Sequence, residues 1–315
     1  GPPPPLPAAP KMAPPRLLLV AVGGEGLEGH LPTTEVMKLD GSGGCGAADG
    51  WRPQAPMPRL RSGFATAAVG SRLYLLGGTD EYDVELSSVE VYDACTDVWV
   101  RGAPPMMQAR TGASAVTMAG EVYIAGGHGG DEVGYLSSTE RFQVGIAQWE
   151  PLPSLCVARA DAAAAAVGAG MYILGGRGPQ QVLAAAERFD FETNSWETLP
   201  PLGCARALAA AAPLDDGSAL VAGGFDSAAY LSSVERFLPE AGCWEMLASM
   251  AAPRGGAVAV AVQGAVYIFG GKAAGRCSST VECFLLPSGS WEGPPLPAPV
   301  PRACLGLAGV CVDIG

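Results

Sequence analysis

Polar and aromatic chemistry in this 315-residue chain collects at three recurring slots rather than in one contiguous motif. Directly after six diglycine pairs stand Glu25, Thr79, His128, Arg177, Phe225 and Lys272. Five residues before each of six recurring glutamates stand His30, Glu85, Tyr135, Val182, Tyr230 and Cys277. Behind six arginines follow Ser62-Gly63, Thr111-Gly112, Ala160-Asp161, Ala207-Leu208, Gly255-Gly256 and Ala303-Cys304. Cationic, anionic, imidazole and aromatic groups set at equivalent positions suit recognition of another chain, each group reading one feature of it. Catalysis is served poorly. The only histidines, His30 and His128, fall in separate copies, no His/Cys set has metal-ligand spacing, and neither a G-x-S-x-G elbow nor a phosphate loop is present. A Glu25 and His128 acid-base pair would require a narrow basin.

These slots are positioned by a repeat. The chain's six tryptophans, Trp51, Trp99, Trp149, Trp196, Trp244 and Trp291, are spaced by 48, 50, 47, 48 and 47 residues. Diglycines at Gly23-Gly24, Gly77-Gly78, Gly126-Gly127, Gly175-Gly176, Gly223-Gly224 and Gly270-Gly271 keep the same beat, each closing a β-rich run such as LYLLGG or VYIFGG. The glutamates Glu35, Glu90, Glu140, Glu187, Glu235 and Glu282 follow, 9 residues before the tryptophan in five copies and 16 in the first, where GSGGCGAADG intervenes. Arg61, Arg110, Arg159, Arg206, Arg254 and Arg302 come 10 or 11 residues after it. A period near fifty with turn signals between short apolar runs reads as four strands per copy. Runs such as AAAAAV at 162–167 would be helix by propensity alone, yet the same slot holds AVAVAV at 257–262, so strand is expected in all copies.

The pattern resembles the kelch repeat, on diglycine, the acidic-x-aromatic step (Glu90-Val91-Tyr92, Glu140-Arg141-Phe142, Glu187-Arg188-Phe189, Glu235-Arg236-Phe237, Glu282-Cys283-Phe284) and tryptophan recurring in order from about residue 16 to the end. The first copy departs, reading Glu35-Val36-Met37. The resemblance implies an all-β, six-bladed propeller of four antiparallel strands per blade, with the repeated arginines and tryptophans as scaffold. It further implies a non-catalytic module like the target-binding domain of BTB-BACK-kelch ubiquitin-ligase adaptors, whose corresponding slots line a basin for target peptides. By that likeness the peptide-binding candidates are Glu25, His30, Ser62, Thr79, Glu85, Thr111, His128, Tyr135, Asp161, Arg177, Phe225, Tyr230, Lys272 and Cys277. The expected partner is a protein or peptide on the loop face, a cullin being reached only through BTB and BACK domains that this sequence lacks. No metal or cofactor is expected. The expected location is cytoplasmic, with nuclear or cytoskeletal association as further options. A cytoskeletal, actin-associated scaffold is the alternative, and a kelch-fold sugar enzyme ranks behind it.

Charge and ends complete the reading. A net charge of −12 opposes any global attraction to nucleic acid or anionic membrane. Nine cysteines without a CxxC suit a reduced compartment, Cys277 beside Arg276 in an expected loop being the candidate reactive thiol. The longest apolar stretch, 257–269, is interrupted by Gln263 and Gly264. Between diglycine and glutamate, copies 2 and 3 are acidic (Asp80, Glu81, Asp83, Glu85; Asp131, Glu132), whereas copies 4 and 6 carry Arg177, Lys272 and Arg276, so a dipolar face is expected. Residues 1–15 read as a Pro/Ala-rich flexible lead-in and 16–315 as one domain, the strand missing from the first blade coming from PRACLGLAGV at 301–310. Deleting residues 301–315 should expose two sheet edges and cause aggregation; a truncated chain that stays monomeric with an unchanged Tm would refute this closure.

Overall fold

A computed structural model of the chain describes residues 17–23, 25–26, 29–30, 32–39, 50–262, 264–274, 276–286, 288–292 and 308–313. The expected lead-in at 1–15, most of the insert before Trp51, Arg302 and the segment 301–307 lie outside the described residues. Among the described residues six antiparallel sheets form the blades, five of them ordered by sequence from an inner to an outer strand, and a separate two-stranded pair joins Glu25–Gly26 to Gly29–His30. Blade 2 is typical: Ala65–Val69, Arg72–Leu76, Val89–Asp93 and Val98–Val100. In blade 1 the inner strand is Ala308–Asp313, paired antiparallel with Leu17–Val22 in the register Leu17 opposite Asp313. Inner strands of successive blades touch in cyclic order, and that of blade 6, Gly255–Val262, meets Ala308–Asp313, which in turn meets Ala65–Val69.

The alanine-rich segments are strands, as the repeat register demands: Ala163–Val167 pairs with Gly170–Leu174. Small side chains there let the inner strands crowd the axis, leaving a channel of about 440 Å³ lined by Ala65, Ala115, Ala164, Ala211 and Val258 among others. Helical propensity loses to burial between neighbouring sheets.

Six hydrophobic cores lie between adjacent blades, and each receives one tryptophan. Trp149 of blade 3 illustrates the fitting. Its ring packs on Phe142 across the strand pair at 5.0 Å, and its Nε1 donates to the Pro104 carbonyl at 3.0 Å, just past the outer strand of blade 2. Trp99, Trp196, Trp244 and Trp291 repeat the arrangement on Ala55, Pro153, Pro200 and Ala248. In blade 1 the fully buried Met37 occupies the missing aromatic position, and Trp51 turns its ring edge-on to Phe269 of blade 6 at 6.4 Å. Aromatic contact thus spans the seam between the last blade and the first.

The arginines are buried scaffold. Arg110, fully inaccessible, donates through Nη1 to the carbonyls of Gly126 (2.7 Å) and Ser138 (3.0 Å), and through Nη2 to Ser138 Oγ (3.0 Å) and Glu140 Oε1 (2.5 Å). Glu140 also accepts the N–H groups of Met107 (2.7 Å) and Gln108 (3.2 Å), so the pair clamps the incoming linker to its own blade. Arg159, Arg206 and Arg254 do the same with Glu187, Glu235 and Glu282. Blade 2 is looser at 3.2 Å between Arg61 and Glu90, and there the position matching Met107 is Pro58, which has no N–H to give. Burial pulls the pKa of Arg61, Arg110 and Arg159 down and the partner glutamate opposes it.

Main-chain carbonyls of these arginines face the preceding blade. Gly127 donates to Arg159 O at 2.8 Å, and a Cβ on Gly126 (φ +67°) would stand 2.5 Å from that oxygen, so only glycine fits. Arg110→Ala should therefore lower stability by about 3–5 kcal/mol, by stranding a buried carboxylate. Arg188→Ala, which breaks surface pairs with Asp190 and the half-exposed Glu197, should cost about 1 kcal/mol. Urea titration of both variants checks the contrast, and equal losses would contradict it.

Candidate functional site

The three slots read from the sequence come together blade by blade. Isolated antiparallel bridges join Ser62 to Thr79 and Thr79 to Glu85, Thr111 to His128 and His128 to Tyr135, Ala160 to Arg177 and Arg177 to Val182, and Ala207 to Phe225 and Phe225 to Tyr230. In blade 6 the same place is held by Gly255, Lys272 and Cys277 within regular strands. Cys277, expected in an exposed loop, is instead half-buried in the short strand Arg276–Cys277, because it completes this ladder with Lys272. In blade 1 Glu25 lies opposite His30 in a two-residue pair; their side chains are outside the described set. In blades 2 to 6 the middle residue of each ladder directly follows a diglycine in which both residues have positive φ.

Between blades the structure connects some of these residues and separates others. A pocket of about 320 Å³ opens between blades 3, 4 and 5, lined by Tyr135, Arg177, Pro179, Gln181, Phe225 and Ser227 with their loop neighbours. Phe225 packs on Tyr230 at 5.2 Å, and Tyr135 meets His128 edge-on at 5.1 Å. His128 Nδ1 accepts the Gly130 N–H at 3.2 Å and lies 3.9 Å from Glu85 Oε1, which extends the contact path to blade 2. Ser62 Oγ and Thr79 Oγ1 are hydrogen-bonded to each other at 3.2 Å, outside the pocket. Lys272 and Cys277 do not line it either, nor does Thr111. The sequence reading missed Pro179, Gln180, Gln181 and Ser227, which sit in the loops just beyond Arg177 and Phe225.

Arg177 is the cation of the pocket. Its side chain is 43% exposed, and its single ion pair is Nε to Asp161 Oδ2 at 3.9 Å; among the described residues its guanidinium makes no hydrogen bond. Three half-buried arginines are engaged twice, Arg141 by Glu121 and Glu150, Arg188 by Asp190 and Glu197, Arg236 by Asp216 and Glu245, whereas the exposed Arg72, like Arg177, has one longer pair, with Asp93 at 3.6 Å. Flanking aromatic faces and a guanidinium with unused donors can hold a flat apolar group beside an anion.

Asp161 belongs to a run of main-chain bonds that links blades 2 to 6. Gly112 donates to Gly63 O (2.8 Å), Asp161 to Gly112 O (2.7 Å), Leu208 to Asp161 O (2.8 Å) and Gly256 to Leu208 O (2.7 Å). All five carry positive φ, but Asp161 (φ 55°) and Leu208 (φ 56°) are not glycine. Non-glycine residues in this conformation concentrate at functional sites. Desolvation raises the Asp161 pKa, against the opposing pull of Arg177 and His128. Asp161→Gly should stabilise the fold by about 1 kcal/mol through the relieved backbone. The gain should shrink as pH falls through the raised titration of Asp161, since protonation removes the penalty on its charged form in the native state alone. Thermal melts across acidic and neutral pH check this; a destabilised variant would contradict it.

Known proteins share this organisation. Residues 18–209 match the KLHDC2/KLHL20/DRC7 Kelch-repeats domain, and 206–251 and 253–295 match the Kelch motif. Two Arabidopsis thaliana proteins are similar over shorter stretches. F-box/kelch-repeat protein SKIP20 is 39% identical over 89 residues, 28% of this chain and 21% of that protein. F-box/kelch-repeat protein At2g44130 is 37% identical over 87 residues, 27% of this chain and 20% of that protein. The matches therefore span about a fifth of the length of those relatives. The solved structure of YjhT superimposes with a TM-score of 0.71 at 18% identity, covering 91% of this chain and 99% of that one, a likeness of fold. Six blades built on diglycine, glutamate, tryptophan and arginine, and kelch matches from residue 18 to 295, place the chain in the kelch-repeat family.

Proposed function

We propose that this propeller recognises a segment of a partner protein on its loop face, in the pocket between blades 3, 4 and 5, and presents that partner to a cullin-type ubiquitin ligase. A kelch propeller is typically a non-catalytic interaction module, which supports the first part. The observation that carries it is the Tyr135, Arg177 and Phe225 pocket, concave and part aromatic, with a guanidinium free to bind. The ligase context draws on the resemblance to BTB-BACK-kelch adaptors and on two relatives whose names join kelch repeats to an F-box. In this reading the cullin is reached through other domains, and the module works in the cytoplasm.

A scaffold reading has its own observation. Val98 on the outer strand of blade 2 is 51% exposed and Met246 on that of blade 5 is 62% exposed, apolar groups on sheet edges that another protein could cover. Affinity purification with the chain and three variants separates the two readings. Partners lost with Phe225→Ala and Tyr135→Ala but kept with Met246→Glu support recognition in the pocket; the reverse pattern supports the scaffold. For the ligase context, retained partners should accumulate when the full-length protein is depleted, and unchanged half-lives would contradict it.

A further inference from the structure

We infer that two copies of this chain associate by pairing the outer strand of blade 2, Val98–Val100, with itself across a two-fold axis. The contact uses none of the pocket residues and does not depend on the reading above.

Blade 2 is set apart by what the other blades carry on their edges. An outer strand leaves one row of backbone N–H and C=O groups unpaired, and charge or proline there keeps a second strand from adding to it. Directly after the tryptophan, blades 3 to 6 carry Glu150, Glu197, Glu245 and Glu292, and blade 1 has Pro53 in its outer strand. Blade 2 has Val100 at that place, and Val98 on the other side of Trp99. Both valines face solvent, Val98 at 51% and Val100 at 36% exposure. Among the described residues the backbone of Val98–Val100 makes no hydrogen bond beyond its ladder to the neighbouring strand Val89–Asp93.

A second copy is the occupant because the segment complements itself. Antiparallel pairing centred on Trp99 sets Val98 opposite Val100 of the copy and Val100 opposite Val98, so four β-branched side chains share one face of the joined sheet. The same register brings the exposed Arg101 beside the exposed Asp97 of the copy, once at each end. Asp97 ends the turn with φ 55°, and its Oδ1 accepts the Ala55 N–H (2.9 Å) and the Tyr92 hydroxyl (2.8 Å), which holds the carboxylate at the head of the strand. The flanking residues two places either side of tryptophan do not complement each other in this way in blades 3 to 5, being Ala147 and Pro151, Asn194 and Thr198, and Gly242 and Met246. A two-fold axis repeats every contact and closes the assembly at two copies. With so short a strand the contact buries under about 1,200 Å² in total, so the dimer is weak and reversible.

Sedimentation velocity of the 315-residue chain, from about 1 μM to about 1 mM, tests this. The expected result is a monomer–dimer equilibrium with its midpoint on the order of 100 μM. Val100→Glu, which gives blade 2 the residue that blades 3 to 6 carry, should weaken it about tenfold or more. Arg101→Glu should weaken it a few-fold, an effect that fades as salt is raised. Met246→Glu, on the outer strand of blade 5, should leave it unchanged. Melting curves confirm that each variant is folded, and amide exchange at Val98–Val100 should slow in the concentrated sample alone. A monomer at every concentration, or a dimer that survives Val100→Glu or is lost with Met246→Glu, would overturn the inference. Protection of Val98–Val100 that requires another protein would also overturn it, giving the edge to a different partner.

Discussion

Two contacts made by each of Arg110, Arg159, Arg206 and Arg254 hold the propeller together. The guanidinium bonds the first-glycine carbonyl of its own blade, as Arg159 does with Gly175 at 2.8 Å, and the arginine's own carbonyl receives the second-glycine N–H of the blade before, as from Gly127 at 2.8 Å. The relay runs from blade to blade, Arg61 to Gly77, Arg110 to Gly126, Arg159 to Gly175, Arg206 to Gly223 and Arg254 to Gly270. Desolvating five guanidinium groups is tolerable because glutamate neutralises each one and carbonyls take its Nη1 donors, although the buried Nε of Arg61, Arg110, Arg206 and Arg254 is left without a partner among the described residues. Tryptophan then seals each gap from outside, leaving the axial strands to be small.

The relay explains why the loop face can vary without loss of fold. Immediately after the clamped glycines the chain offers one residue per blade, and that residue is threonine, histidine, arginine, phenylalanine or lysine in blades 2 to 6. Each is held by the same bridges to its two neighbours, so exchanging its side chain alters what the face reads and leaves the backbone as it was. A rigid frame under variable side chains favours binding, since little order must be imposed when a ligand arrives. Asp161 and Leu208, strained where blades 2, 3 and 6 carry glycine, are the places where this frame departs from its easiest solution.

Much of this was legible in the spacing of residues. The tryptophan period gave the blades, and counting from it aligned Ser62, Thr79 and Glu85 with Thr111, His128 and Tyr135, which the structure bridges. Alignment within a copy says which residues share a blade. It does not say how far a loop leans over the next one, and so the joining of Tyr135, Arg177 and Phe225 with Pro179 and Gln181 in one pocket was not readable. The loop expected at Cys277 was misplaced for a related reason: turn-rich sequence on both sides hid a two-residue strand that exists only by pairing with Lys272 and Ala273. Met37 filling an aromatic slot likewise depends on the neighbouring blade 6, which its own repeat cannot show.

Amide hydrogen exchange of the chain, free and saturated with its tightest peptide ligand, tests most directly whether the pocket is where recognition occurs. The account predicts slowed exchange in 128–135, 177–182 and 225–230, with the outer strands unchanged. Protection confined to Val98–Val100 and Cys243–Leu247, with those loops unaffected, would contradict it.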